Sequence, residues 1–384
     1  MSRYFVLITI YSMLSMACNK TKTASTELPF EKTYGGNLVD YASEAIYSDG
    51  YIYMVGTSKS LQSSSGGLAL TKIDALGNLV FEKSYGGTIL DFGTNIVKTS
   101  DGNLLLLGIT SLPTNSGTQV DILIVKVDVD GNTIWSRTYG DATQFDVAEG
   151  LIETSNGDIL VLGSAHNGST NDFSLTCLNS QGDLKWEKIY TSPYNDEGIN
   201  IAKTEQDEYL LLGRRKDGDD DFYLLKVDEQ GNVLWEQSYG TPQYEQAHSI
   251  RKTLDGHFLL CGHSSGIDPL HNLYVAKIST DGIVVFEEHY GGVAHDGGTS
   301  AIELSNGNLL LAGETDSYGN GSKRAFLLET SADGTLIQEQ SFGGDLSDKF
   351  STVIETEKAY YLIGESASFS ESGDIDMYVV KRLK

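Results

Sequence analysis

The sequence predicts an all-β fold: a seven-bladed β-propeller of four-stranded antiparallel blades. Three observations carry that reading. A Tyr-Gly pair, or its Phe-Gly variant, recurs at Tyr34, Tyr85, Tyr139, Tyr190, Tyr239, Tyr290 and Phe342, at intervals of 49 to 54 residues. Each interval holds four short apolar or alternating runs divided by turn residues, which is strand chemistry rather than helix chemistry. The ends complement each other: "LPFEKTYGG" from Leu28 is a fourth strand without the first three, and "DIDMYVVKRLK" is a third strand without a fourth. Four antiparallel strands repeated at about 50 residues give propeller blades, and pairing of strand 28–34 in the C-terminal blade closes the ring. Closure leaves no sheet edge open between the first and last blades.

Taken in order, the first element is not part of the ring. Arg3 precedes an apolar run at residues 4–16, too short to cross a bilayer as a helix. The run ends in "LSMAC", which resembles a bacterial lipoprotein signal, although Ser15 stands where that pattern usually has Leu and Leu14 lies one residue earlier. The resemblance implies a signal at 1–18, with Cys18 lipidated as the new N-terminus. It implies an exported protein anchored to the outer membrane, on its periplasmic or surface side. At about 0.8 kcal/mol per buried CH₂, several acyl chains hold such a protein to the membrane durably. Residues 19–27 ("NKTKTASTE") read as a flexible tether. No later run approaches the length of a membrane-spanning helix, so the membrane is met through the anchor alone.

Residues 28–384 read as one propeller domain. Each unit opens on an acidic residue and a mixed inner strand, then a nearly continuous apolar strand ending in Gly56, Gly108, Gly163, Gly213, Gly262, Gly313 or Gly364. A third strand follows a loop of variable length. The fourth begins after Gly-Asn or a relative and carries an aromatic: Phe81, Trp135, Trp186, Trp235 or Phe286. The turns "SDG", "SNG" and "LDG" join the first strand to the second. With 42 Gly, 21 Tyr and only 5 Pro, the composition suits many short strands and tight turns. Cys177 and Cys261 sit inside apolar runs and read as small buried hydrophobes, with no metal-ligand spacing around them.

The repeat, roughly Asp-x-x-Gly-Asn-x-x-Trp-x-x-x-Tyr-Gly-Gly, resembles the β-propeller repeats of envelope lipoproteins and secreted proteins of Bacteroidota-like organisms. That resemblance covers residues 28–384 and speaks to architecture more than to activity. A weaker similarity is to bulb-type lectins, which the "QGNVLWEQSY" of residues 230–239 only grazes.

Net charge is -26, a field that repels a phosphate backbone and excludes nucleic acid as a partner. The most regular polar feature is an acidic ring at the start of the inner strands: Asp40, Asp91, Asp146, Asp196, Glu245, Asp296 and Asp348. Seven carboxylates around one mouth could bind Ca²⁺ or attract cations. Short acids before a strand also accept backbone N–H bonds, and sevenfold recurrence favours that structural role. Function belongs where the repeats differ. Three residues after each acid stand Ser43, Thr94, Glu149, Ile199, His248, Thr299 and Ser351, among which Glu149 and His248 are the candidates for a ligand or for acid–base work. Asp217, Asp219, Asp220 and Asp221 form a second Ca²⁺ candidate, without EF-hand spacing and more readily explained as a solvated charge run. No nucleophile, P-loop or dinucleotide fingerprint occurs.

The reading that follows is a monomeric, non-enzymatic binding or scaffold module for glycans or envelope proteins. It needs no cofactor, with Ca²⁺ as the one candidate ion. The alternative is a glycoside hydrolase or lyase using channel carboxylates.

Overall fold

The computed structural model describes residues 28–61, 66–86, 90–114, 117–140, 146–166, 168–218, 220–241, 244–265, 272–319, 321–370 and 372–384. The signal with Cys18, the tether at 19–27, and Asp219 lie outside the described residues.

Seven four-stranded antiparallel sheets make up the ring, six of them with their strands in chain order. Blades 1 to 6 span residues 40–85, 90–139, 146–190, 195–239, 245–290 and 296–342. Blade 7 draws three strands from 348–383 and its outer strand from Phe30–Tyr34. That outer strand pairs antiparallel with Asp376–Leu383, in register from Phe30↔Lys381 to Tyr34↔Met377. The expected closure is therefore present.

The core lies between blades. Seven apolar clusters each combine residues of two adjacent blades. The run Leu104–Leu107 shows why the second strands are apolar without alternation. Leu104 and Leu106 pack towards blade 1, whereas Leu105 and Leu107 pack towards blade 3. A strand covered on both faces buries every side chain, so its sequence loses the period of two.

One bond repeats around the rim. The hydroxyl of the fourth-strand Tyr donates to the turn-glycine carbonyl of the next blade: Tyr34 to Gly77 (2.8 Å), Tyr85 to Gly131 (2.8 Å), Tyr139 to Gly182 (2.6 Å), Tyr190 to Gly231 (2.8 Å), Tyr239 to Gly282 (2.8 Å), and Tyr290 to Gly334. The turn glycine is required twice over. Gly231 has φ +72°, and a Cβ there would sit 3.1 Å from both the Trp186 ring and the Tyr190 hydroxyl. Phe342, the one copy without a hydroxyl, faces blade 7, whose third and fourth strands come from opposite ends of the chain and share no turn. No turn carbonyl awaits a hydroxyl at that seam.

Candidate functional site

Every inner strand carries a register shift in the same place, between Ala42/Glu44, Gly93/Asn95, Ala148/Gly150, Gly198/Asn200, Ala247/Ser249, Gly298/Ser300 and Phe350/Thr352. The residue skipped by each bulge is Ser43, Thr94, Glu149, Ile199, His248, Thr299 or Ser351. These are the variable positions that the sequence singles out. A bulge leaves one residue outside the ladder and re-aims its side chain, here into the central channel. The second-strand glycines make room for it. A Cβ on Gly213 would lie 2.0 Å from the Glu197 carbonyl oxygen, and one on Gly56 1.9 Å from that of Tyr41. Those glycines are a consequence of the bulge.

In three blades the bulged residue latches the ring. The Ser43 hydroxyl donates to the Gly93 carbonyl (2.8 Å), Thr94 to Ala148 (3.2 Å) and Thr299 to Phe350 (2.8 Å), each reaching the next blade. Blades 3, 4 and 5 hold Glu149, Ile199 and His248 there, and among the described residues none of these makes that bond.

Glu149 and His248 line one chamber of about 530 Å³ in the upper channel, the end where the inner strands begin. No hydrogen bond joins the two side chains. The chamber also presents Glu44, Glu197, Arg214, Arg251, Lys349 and Glu365. Arg214 pairs with Glu197 at 2.5 Å and Lys349 with Glu365 at 3.6 Å. Arg251 of blade 5 pairs with Glu44 of blade 1, and Glu44 accepts a further bond from Thr352 at 2.6 Å. This pair joins non-adjacent blades and forms the chamber floor. Below it a second cavity, of about 520 Å³, is lined by Ile46, Val97, Ile152, Ile302 and Ile354.

Glu149 opens onto the lumen but sits deep in the ring. Burial, reinforced by the Glu197 charge, pushes its carboxyl up to about 7, against a smaller opposing pull from Arg214. Burial also lowers His248 to about 4, helped by the Lys349 charge and opposed by Glu314. At neutral pH His248 is an uncharged imidazole. Its ring lies 5.4 Å from that of His263, which neighbours Tyr244 at 6.0 Å and His295 at 5.7 Å.

Six acids of the ring are described, and they are held away from the lumen. Asp40, Asp91, Asp196, Glu245, Asp296 and Asp348 are all buried. Asp40 accepts the Gly36 N–H (2.8 Å), Asp296 the Gly292 N–H (2.7 Å) and Asp348 the Gly344 N–H (3.0 Å), tying the loop that enters each blade. Hydroxyls from the second strand complete the clasp, as Thr110 does for Asp91 (2.5 Å) and Ser264 for Glu245 (2.8 Å). In blade 4 the Arg215 guanidinium grips both oxygens of Asp196 at 3.0 and 2.9 Å. These bonds give the described carboxylates the structural role that their sevenfold recurrence favours. Asp146 opens its strand in the same position, on the backbone alone.

Of the second Ca²⁺ candidate, Asp217, Asp220 and Asp221 are described, and Asp219 lies outside the described residues. Asp217 is exposed, whereas Asp220 is buried and pairs with Arg214 at 3.5 Å. Asp221 follows Asp220 on a strand, so the two side chains point to opposite faces. Among the described residues no group of three or more His, Cys, Asp or Glu side chains is placed to hold a metal. Cys177 and Cys261 are free and buried, their thiols pushed up to about 11 and about 12 by burial.

Sequence reasoning missed Glu197, Arg214, Lys349 and Glu365. The signal was available two residues earlier in the repeat, where Tyr41, Phe92, Val147, Glu197, Gln246, Gly297 and Lys349 differ as strongly as the bulged series does. Arg214 was hidden in "RRKDGDDD", which reads as a solvated loop.

Comparison with known proteins agrees with the architecture. Residues 154–184, in blade 3, match the family model described as a domain of unknown function (DUF5122) beta-propeller. No curated protein matches the chain. Among solved structures, a protein of unknown function from Dyadobacter fermentans is similar at 12% identity and TM-score 0.54, over 81% of this chain and 96% of that one. The Pan2 WD40 domain of Neurospora crassa is similar at 10% identity and TM-score 0.55, over 88% of each. An α-L-arabinofuranosidase from Fusarium graminearum, solved with an iminosugar inhibitor, is similar at 11% identity and TM-score 0.51, over 75% and 91%. At these identities the likeness is one of fold. The class is a seven-bladed β-propeller resembling bacterial propeller-repeat proteins, a fold that supports a binding or scaffold module.

Proposed function

We propose that this protein is an exported, lipid-anchored module of the bacterial envelope that binds a glycan or an envelope protein at the upper mouth of its channel. The chamber carries this reading: the residues that break the sevenfold repeat converge in one cavity, on blades that forgo the inter-blade latch. A site with convergent polar groups on a rigid frame is the default place to look for a ligand. The anchor rests on the sequence around Cys18.

Both parts can be tested separately. The full chain, screened on a glycan array and by titration with envelope polysaccharides, should bind a defined subset, and Glu149→Gln or His248→Ala should weaken that binding. Retention unchanged in both variants would remove the chamber as the site. Cys18→Ala should abolish acyl labelling and release the protein from membranes; persistent membrane association would overturn the anchor.

A second reading has its own observation. Glu149 stays protonated to about pH 7 beside Glu197, which is ion-paired, and carboxyls in differing states are what glycoside cleavage uses. Release of reducing ends from a polysaccharide, lost in Glu149→Gln, would favour that hydrolase reading over simple binding.

A further inference from the structure

The charges that line the chamber do not balance. Four carboxyls face it, Glu44, Glu149, Glu197 and Glu365, against three cations, Arg214, Arg251 and Lys349. Each cation is committed: Arg214 to Glu197, Arg251 to Glu44, Lys349 to Glu365. Glu149 is the carboxyl left over, and its oxygens have no hydrogen-bond partner among the described residues. Its position is built rather than incidental. The bulge aims it into the lumen, and it replaces a latch hydroxyl that Ser43, Thr94 and Thr299 supply elsewhere.

An uncompensated carboxyl deep in a channel and near a second carboxylate is eased in one of two ways: it keeps a proton, or a ligand brings the counter-charge. His248 cannot supply it, being neutral at physiological pH. The remaining lining is hydrogen-bonding rather than apolar, with Asn95, Asn200, Gln246 and Ser351 around the lumen. We propose that the chamber takes an amino sugar through its free primary ammonium, with Glu149 as the counterion and the amide and hydroxyl side chains meeting the sugar hydroxyls. This rests on the glycan reading above and names the sugar class. The volume of about 530 Å³ accommodates one or two sugar rings.

Binding is linked to a proton. The groups facing Glu149 are Glu197 and Arg214 on blade 4, His248 and Arg251 on blade 5, Lys349 and Glu365 on blade 7, and Glu44 on blade 1. With the cations already paired, a ligand ammonium adds the charge that ionises Glu149, so at pH 6, where both the carboxyl and the sugar amine hold their protons, the amino sugar binds with release of the carboxyl proton.

The test is isothermal titration of the full chain at pH 6 with three matched trimers: β-1,4-linked glucosamine, N-acetylglucosamine and glucose. The glucosamine trimer should bind, with an enthalpy that varies with the buffer's ionisation enthalpy as proton release requires. The other two should bind about ten- to hundred-fold more weakly, the loss of one charge-assisted contact. Glu149→Gln should abolish that preference and the buffer dependence, with an intact fold shown by its circular dichroism spectrum and a melting temperature no lower than the parent's. Equal binding of the three trimers, unaffected by Glu149→Gln, would overturn the ammonium contact and leave the glycan reading standing. No binding of any trimer, together with binding of spermidine that Glu149→Gln removes, would overturn the sugar assignment. Failure of all four ligands would overturn this inference, while the glycan array separately judges the broader reading.

Discussion

The rim and the lumen of this propeller are built from the same repeat and use it in opposite ways. At the rim, six Tyr hydroxyls make the same bond to six turn carbonyls, and the one exception, Phe342, falls where no turn exists. In the lumen, the bulged position is a latch in blades 1, 2 and 6, an unlatched Ser351 in blade 7, and Glu149, Ile199 and His248, which carry no such hydroxyl, in blades 3 to 5. A repeated bond is one that every blade needs to stand beside its neighbour. A position that forgoes such a bond on three consecutive blades is under some other demand, and sites of function are where local rules give way.

The largest way to break the rim is to remove its closing strand. Deleting residues 28–34 strips blade 7 of its outer strand and exposes the edge of Asp376–Leu383, along with the Tyr34 bond to Gly77. A melting temperature many degrees lower is expected by circular dichroism, and an unchanged melt would show that the ring does not depend on this seam. A matched pair then sharpens the rim argument. Tyr239→Phe should cost about 1–2 kcal/mol in denaturant unfolding, because it leaves the Gly282 carbonyl without its donor. Phe342→Tyr should gain nothing, since blade 7 offers no turn carbonyl. Equal and opposite effects would contradict the seam explanation.

The smallest effects, in the lumen, should show as opposite pH slopes. Glu149 titrates at about 7 against an ordinary 4.5, so between these values the folded chain holds a proton the unfolded chain has lost. Its contribution to stability therefore falls as pH rises through that window. His248 titrates at about 4 against 6.5, so its contribution falls as pH drops from 6.5 towards 4, where only the unfolded chain takes up the proton. Glu149→Gln should melt above the parent at pH values over 7, with the advantage shrinking towards 4.5. His248→Asn should gain on the parent as pH falls below 6.5. Melting curves that run parallel to the parent at every pH would deny both residues their perturbed setting deep in the channel.

Much of the fold was legible in the sequence because a propeller writes each blade out separately. The Tyr-Gly period counted the blades, and the partial units at the ends revealed the closure. Apolar runs such as Leu104–Leu107 marked strands sandwiched between neighbours. The variable series through Glu149 and His248 was legible too, as a break in the pattern. Its meaning was not. Nothing local shows that a bulge turns those residues into the lumen, or that Gly213 is glycine because the Glu197 carbonyl occupies the place of its Cβ.

The sequence by itself determined the blade count, the strand order and the turn chemistry, since each depends on residues a few positions apart. Only the tertiary structure decided the site. It buried the acidic ring in loop clasps, dispersed Asp217, Asp220 and Asp221, and set Glu44 of blade 1 against Arg251 of blade 5. Charge balance in the channel is a property of side chains up to hundreds of residues apart, summed where strands from all seven blades meet around one lumen. That sum isolates Glu149.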